Sequence, residues 1–287
     1  MLFMLNASEF NPWSIFLILV FGTTSSILGA IKYLDGSQLM MPNEYKVIKK
    51  IVTKLAKTND LGTHPLSFTI ISGSRAYWTA EALQLVKQEG GWFYSNINPF
   101  KTYMGKSSQE INEAIRQSYL LNGIEAYAYP NGTISISHST FRSHKNKDDY
   151  LACIIGHEIS HVLNHDSFHK SLRQAKEGKK LKKKKKELLG YRISRETESK
   201  ADINAAKMMI KAGYPRDTCL KALDFTYKYS GDGRATEKDS THPGYEDRRA
   251  ELDQFLEAFK NIDSSKERTK GKWEYDRSLN NLTFIPK

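Results

Sequence analysis

The chain has 287 residues, of which 39% are hydrophobic and 26% charged, and carries a formal net charge of +11. That length holds one large domain or two small ones with a core that needs no staples, and the balance excludes a disordered chain. The two cysteines, Cys153 and Cys219, form no Cys-x-x-Cys and no disulfide framework; both sit in apolar helical runs and read as small buried hydrophobes.

From Pro12 to Ile31 there is no charged residue, and Trp13 and Ile15 to Phe21 make a dense apolar block. A helix of that length spans about 30 Å, the thickness of a bilayer core. A cleaved signal peptide competes with an anchor, but Met1 to Pro12 lacks Lys and Arg and contains Glu9, which favours an uncleaved anchor over residues 1–35. The expected location is therefore single-pass in a membrane. Lys32, Lys46, Lys49 and Lys50 follow the segment, and this charge bias places the main domain on the cytoplasmic side.

Residues 36–262 read as the main domain. Val47, Ile48, Ile51, Val52 and Leu55 give an amphipathic helix from Asn43 to about Lys57, and Leu66 to Ile71 a short strand. Thr79 to Glu89 and Ser107 to Leu121 read as helices, stopped by Gly90-Gly91 and Asn122-Gly123. Ile124 to Tyr129 and Thr133 to Ser137 flank Pro130-Asn131-Gly132 as a hairpin. The second run carries Ser on one face, the pattern of a sheet edge, and an edge can pair with an extended peptide. Plain structural sheet is the alternative.

An apolar-periodic run from Asp148 to His165 contains His157-Glu158-Ile159-Ser160-His161. On a helix, positions i and i+4 share a face, so two imidazoles can hold one zinc ion with Glu158 beside them as candidate general base. The longer zinc pattern is absent, since its next two positions are Asn164 and Ser167, so the third ligand comes from elsewhere. Residues 166–193 read as a lysine-rich loop, and Lys179 to Lys186 holds seven lysines in eight positions. An anionic membrane surface is one partner for that run. A solvated, mobile basic segment is the preferred reading, and the lack of interleaved aromatics makes nucleic acid an unlikely partner.

Ser194 opens a helix to Ala212 on which Glu198, Ala201, Asp202 and Ala205 share a face. A carboxylate flanked by alanines can approach another helix closely, which makes Glu198 the candidate third ligand and Asp202 a partner for a ligating histidine. A helix from Pro215 to Tyr229 follows, then a Gly-Asp-Gly loop, then Thr241-His242-Pro243 and a closing helix through Phe259. Residues 263–287 read as a polar tail that folds back as a strand or frays.

Four blocks in order resemble the zinc metalloendopeptidase family of the HtpX-like, BepA-like and Oma-type proteases and the CAAX prenyl protease. They are Ala126-Tyr127-Ala128-Tyr129-Pro130-Asn131-Gly132, Leu151 to Val162, Ser194-Arg195 to Ala201-Asp202, and Thr241-His242-Pro243 to Arg248, across roughly residues 120–255. The resemblance implies an α+β, zincin-like metallopeptidase domain, mostly helical with a small sheet. It implies one zinc per chain on His157, His161 and Glu198, with Glu158 as base. His242 would either steady the transition state or fill the open coordination position at rest. Asp202 and Arg248 match supporting polar positions, and Ile134, Ser135 and Ile136 the substrate-aligning edge. The implied activity is zinc-dependent endopeptidase action on protein or peptide substrates, misfolded ones among them, in membrane or envelope quality control. Three features depart from the family pattern: Glu125 stands where Asn is common, Lys200 replaces a common acidic residue, and residues 72–120 exceed the usual link. A single N-terminal span looks more like BepA-like or Oma-type members, and the former would place the domain in the periplasm. The rivals are a non-catalytic zinc-binding chaperone or scaffold and a basic membrane-surface binding protein.

Overall fold

The computed structural model describes residues 41–71, 107, 109, 124–230, 233–259 and 269–287. The chain divides into two compact units, Met1–Pro42 and Asn43–Lys287, and every described strand and helix belongs to the second. The anchor expected over residues 1–35, the helix expected over 79–89 and nearly all of that over 107–121 lie outside the described residues.

Five strands form one sheet in the order β2-β3-β1-β5-β4: β1 (Leu66–Ile71), β2 (Ala126–Ala128), β3 (Thr133–Ser137), β4 (Gly271–Asp276) and β5 (Asn281–Pro286). β1 pairs with β3 in parallel and with β5 antiparallel, so the strand predicted from Leu66 to Ile71 lies at the centre. Its Leu66, Phe68, Ile70 and Ile71 are buried. The Pro130-Asn131-Gly132 hairpin forms as predicted. Gly132 sits at φ +83°, and a Cβ there would come within 2.6 Å of the Pro65 carbonyl oxygen, so only glycine fits the turn.

The helices are α1 (Asn43–Ala56), α2 (His138–Ser143), α3 (Asp148–Leu163), α4 (Asp166–Glu177), α5 (Lys183–Lys211), α6 (Thr218–Ser230) and α7 (Tyr245–Ala258). α3 is the hub, packed against α1, α5, α6 and β2. Its Leu151, Ala152, Ile155 and Ile159 form the core stripe at helical spacing. α5 meets it through small residues. A Cβ on Gly156 would lie 3.6 Å from Ala205, so Gly156 and Ala205 let the two helices approach.

Four expectations are corrected. β3 is not an edge: β2 and β1 pair with its two sides, and Ile134, Ser135 and Ile136 are all buried. The serines on its second face are buried because their hydroxyls find partners. Ser137 Oγ lies 2.8 Å from Ser139 Oγ and 2.9 Å from Thr140 Oγ1. Residues 166–193 are not a loop but α4 and the first turns of α5, which run back to back as a helical hairpin. Of the two outcomes expected for residues 263–287, folding back is the one seen in the described part: β4 and β5 complete the sheet, with Leu282 and Phe284 buried. The cysteines are bonded to each other rather than free. Cys153–Cys219 ties α3 to α6 across 66 positions, a cross-link contributing about 4 kcal/mol in the chain-entropy account. The fourth correction concerns the single-pass membrane location. Among the described residues no helix is long and apolar enough to cross a membrane. The longest of them, α5, opens on the lysine run and is polar along most of its length.

Candidate metal centre

Three side chains from two helices converge. His157 and His161 lie one turn apart on α3, and Glu198 reaches them from α5. His157 Nε2 is 3.0 Å from His161 Nε2 and 3.2 Å from Glu198 Oε2, and His161 Nε2 is 3.5 Å from Glu198 Oε1. A tetrahedral zinc with bonds near 2.0–2.1 Å holds its ligand atoms about 3.4 Å apart. The observed spacings fit that donor set, and two nitrogens with one carboxylate suit zinc chemically. The cluster is thus capable of coordinating a metal ion.

Each histidine is oriented from behind. His157 Nδ1 lies 2.9 Å from Asp202 Oδ1, one turn along α5 from Glu198. Arg248 of α7 clamps that carboxylate, donating from Nε to Oδ2 and from Nη2 to Oδ1, both at 2.7 Å. His161 Nδ1 lies 2.8 Å from Asp166 Oδ2. A proton on each Nδ1, shared with a carboxylate, leaves both Nε2 lone pairs facing the centre. Asp166 is the residue that reading the sequence missed. It reaches back because His165 adopts φ 49°, a left-handed turn between α3 and α4, and nothing local marks that reversal.

Burial opposes a charge on His157, but the carboxylates of Asp202 and Glu198 outweigh it and raise the imidazole to about 10. His161 is raised to about 9 against its own burial, chiefly by Asp166 and Glu198. Glu198, though buried, is held far below the usual carboxylate range by the two histidines. Glu158 behaves oppositely: burial pushes it up, more than the neighbouring histidines and the Ala128 backbone hydrogen bond bring it down. The contrast separates two carboxylates beside the same histidine pair, one suited to ligate and one to exchange a proton.

The centre opens into a cleft of about 870 Å³. Ala126 to Ala128 form one wall. They belong to β2, which among the described strands lies outside β3 in the sheet order. His242 also lines the cleft, its Nε2 3.6 Å from Glu198 Oε2 and its side chain 62% exposed. The loop that carries it is built tightly. Arg195 Nη1 donates to the carbonyls of Glu237, Lys238 and Ser240 at 3.3, 3.1 and 2.7 Å. Ser240 Oγ bonds the His242 backbone on both sides, donating to its carbonyl at 2.8 Å and accepting from its N–H at 3.2 Å. A Cβ on Gly244 would strike the Ala235 carbonyl carbon at 2.3 Å, so glycine is required where the loop crosses itself.

The fold and donor set define a mixed α+β, mostly helical domain with a metallohydrolase-type site. Residues 101–177 match the model of Peptidase family M48. This part of the chain is similar to M48-family peptidase domains, which are zinc-dependent, and the match contains both histidines, Glu158 and Asp166. Glu198, Asp202, His242 and Arg248 lie beyond it and are brought to the same centre by the fold. Neither a curated protein nor a solved structure matches the chain.

Proposed function

We propose that this protein is a zinc metalloendopeptidase with His157, His161 and Glu198 as ligands and Glu158 as general base. The observation that carries the reading is the buried carboxylate of Glu158 on the helix that presents both histidines, beside a cluster of three protein donors among the described residues. A purely structural site has no use for a base between its ligands, which weighs against a zinc-binding scaffold.

A bound zinc ion supplies Lewis acidity and lowers the pKa of coordinated water toward about 7. Glu158 takes the proton released in the attack and returns it to the departing amine; its raised proton affinity, set by burial, suits both transfers. His242 lines the cleft with its Nε2 3.6 Å from Glu198 Oε2, near enough to the centre to donate a hydrogen bond to a developing oxyanion. Asp202, held by Arg248, keeps His157 in one tautomer, and Asp166 does the same for His161. Ala126 to Ala128 of β2 line the cleft, where an extended chain can lie along the strand, which makes protein or peptide chains the substrate class.

The test is zinc content and cleavage of an unfolded protein by three forms of the chain. The parent is expected to bind about one zinc and cleave. Glu198→Ala is expected to lose both. Glu158→Gln is expected to keep zinc and lose cleavage by at least about a hundredfold. Cleavage retained in Glu158→Gln refutes the assigned base, and a folded parent that takes up no zinc refutes the peptidase.

A further inference from the structure

The cleft borders a second hollow. This hollow, of about 470 Å³ between α4 and α5, shares Asp166, Lys170 and Thr197 with the cleft as lining residues. The second hollow is cationic. Lys170 and Arg173 enter it from α4, Lys200 and Lys207 from α5, and Asp166 is the sole acidic residue among its described walls. Asp166 is already engaged with His161.

The four cations differ in what holds them. Arg173 is committed, with Nε to Glu177 at 3.0 Å and Nη1 to Glu196 at 2.6 Å. Lys207 lies over the rings of Phe255 and Phe259 at 5.5 and 5.9 Å. Lys170 and Lys200 have no carboxylate partner among the described residues. Lys170 sits one turn after Asp166 on α4 and lines both the cleft and the hollow, while Lys200 lines the hollow on the face of α5 that carries Thr197 and Asn204. Two ammonium groups with no carboxylate partner among the described residues therefore line the hollow, Lys170 at its boundary with the cleft.

We infer that this hollow is a substrate subsite that takes an acidic side chain of the bound peptide, held between Lys170 and Lys200. The inference rests on the peptidase reading and adds to it a specificity. A carboxylate entering here meets two cations whose charge no described carboxylate cancels, whereas a lysine or arginine of the substrate meets like charge. An apolar side chain gains neither. The attraction acts through solvent-accessible groups, so it is modest and salt-sensitive.

Binding, read without turnover, tests it. Zinc-loaded Glu158→Gln protein is titrated with fluorescent peptides of otherwise neutral sequence that carry a single Glu or a single Gln, moved stepwise along the chain. At one position Glu is expected to bind about fivefold tighter than Gln at low salt. The difference is expected to shrink toward none in about 0.5 M salt. The pair Lys170→Gln and Lys200→Gln should abolish the preference, and Lys170→Glu with Lys200→Glu should invert it, with zinc content unchanged in both. Equal or undetectable binding of Glu and Gln peptides at every position overturns the subsite, as does a Glu preference that survives both double variants. A parent that binds with this preference but cleaves nothing counts against the peptidase reading alone.

Discussion

At the level of single residues the site is an arrangement of protons. Three carboxylates surround two imidazoles whose Nε2 atoms face each other at 3.0 Å. Without metal such a pair keeps an extra proton, because Asp202, Glu198 and Asp166 favour the imidazolium more than burial opposes it. Zinc must displace that proton. Its affinity is therefore expected to rise with pH from about 7 to 9 and fall below it, as competition with a chelator across that range will show. A flat profile means that the histidines are neutral before metal arrives. The stability of the metal-free protein runs the other way. Folded-state values above the ordinary 6.5 give stabilisation that is present below that pH and lost as pH climbs through about 9 to 10. Asp202→Asn removes the acceptor that holds the His157 tautomer and strands the Arg248 fork. Zinc affinity is expected to drop about ten- to a hundredfold, measured by the same competition. An unchanged affinity means that Glu198 and helix packing alone position the imidazole.

At the level of elements, the loop before α7 decides whether His242 faces the site. Arg195 holds three of its carbonyls from one turn before Glu198 on α5, so a single helix supplies both a candidate metal ligand and the clamp for the loop that carries His242. Arg195→Ala is expected to cut turnover on the order of tenfold or more while zinc content holds. In a His242→Ala background it should add little, because both changes remove the same group from its place. Fully additive losses show that Arg195 acts elsewhere. The elements that build this centre were largely legible in the sequence. The helix from Asp148 and the strand from Leu66 carry their apolar periodicity openly, and Glu198 and Asp202 stand among alanines at one-turn spacing. Other features were hidden for physical reasons. Seven lysines in eight positions run against the helix dipole and read as loop, yet the last four open α5, where Leu189 and Ile193 are buried and α4 packs alongside. The β3 serines read as an exposed face because hydroxyl–hydroxyl pairing inside a core leaves no periodic mark. Among the described strands the outermost place beyond β3 belongs to β2, whose Ala-Tyr-Ala offers only three residues of pattern.

At the level of the whole molecule, the metal centre depends on the last residues of the chain. Phe284 stands opposite Leu66 on β1, and Ile70 and Ile71 of β1 stand opposite Ile136 and Ser137 of β3. Ile136 faces Ala126 of β2, and the Ala128 backbone reaches Glu158. The register thus runs unbroken from the C-terminus to the general base. Thr269 adds a second tie: its N–H donates to the Ala56 carbonyl and its hydroxyl to the Asn59 carbonyl, both at 2.8 Å. Tyr45 adds a third, donating to the Asn280 carbonyl while accepting from Ile70 N–H at 3.2 Å. Removing residues 269–287 leaves β1 with an open edge and strips cover from its buried face. That loss is comparable to the roughly 5–15 kcal/mol that holds an ordinary domain together, so the truncated chain is expected to lose its cooperative unfolding transition and its zinc together. Phe284→Ala is the graded version. Its ring packs on Trp273 with centroids 5.0 Å apart and is 2% exposed, and its loss is expected to cost about 3–5 kcal/mol in thermal or denaturant unfolding. Below its melting transition that variant should still bind zinc with parental stoichiometry, because it weakens the sheet without breaking the register. A truncated chain that melts cooperatively and binds zinc shows instead that β4 and β5 are an appendage, and that the sheet order carries no support to the site.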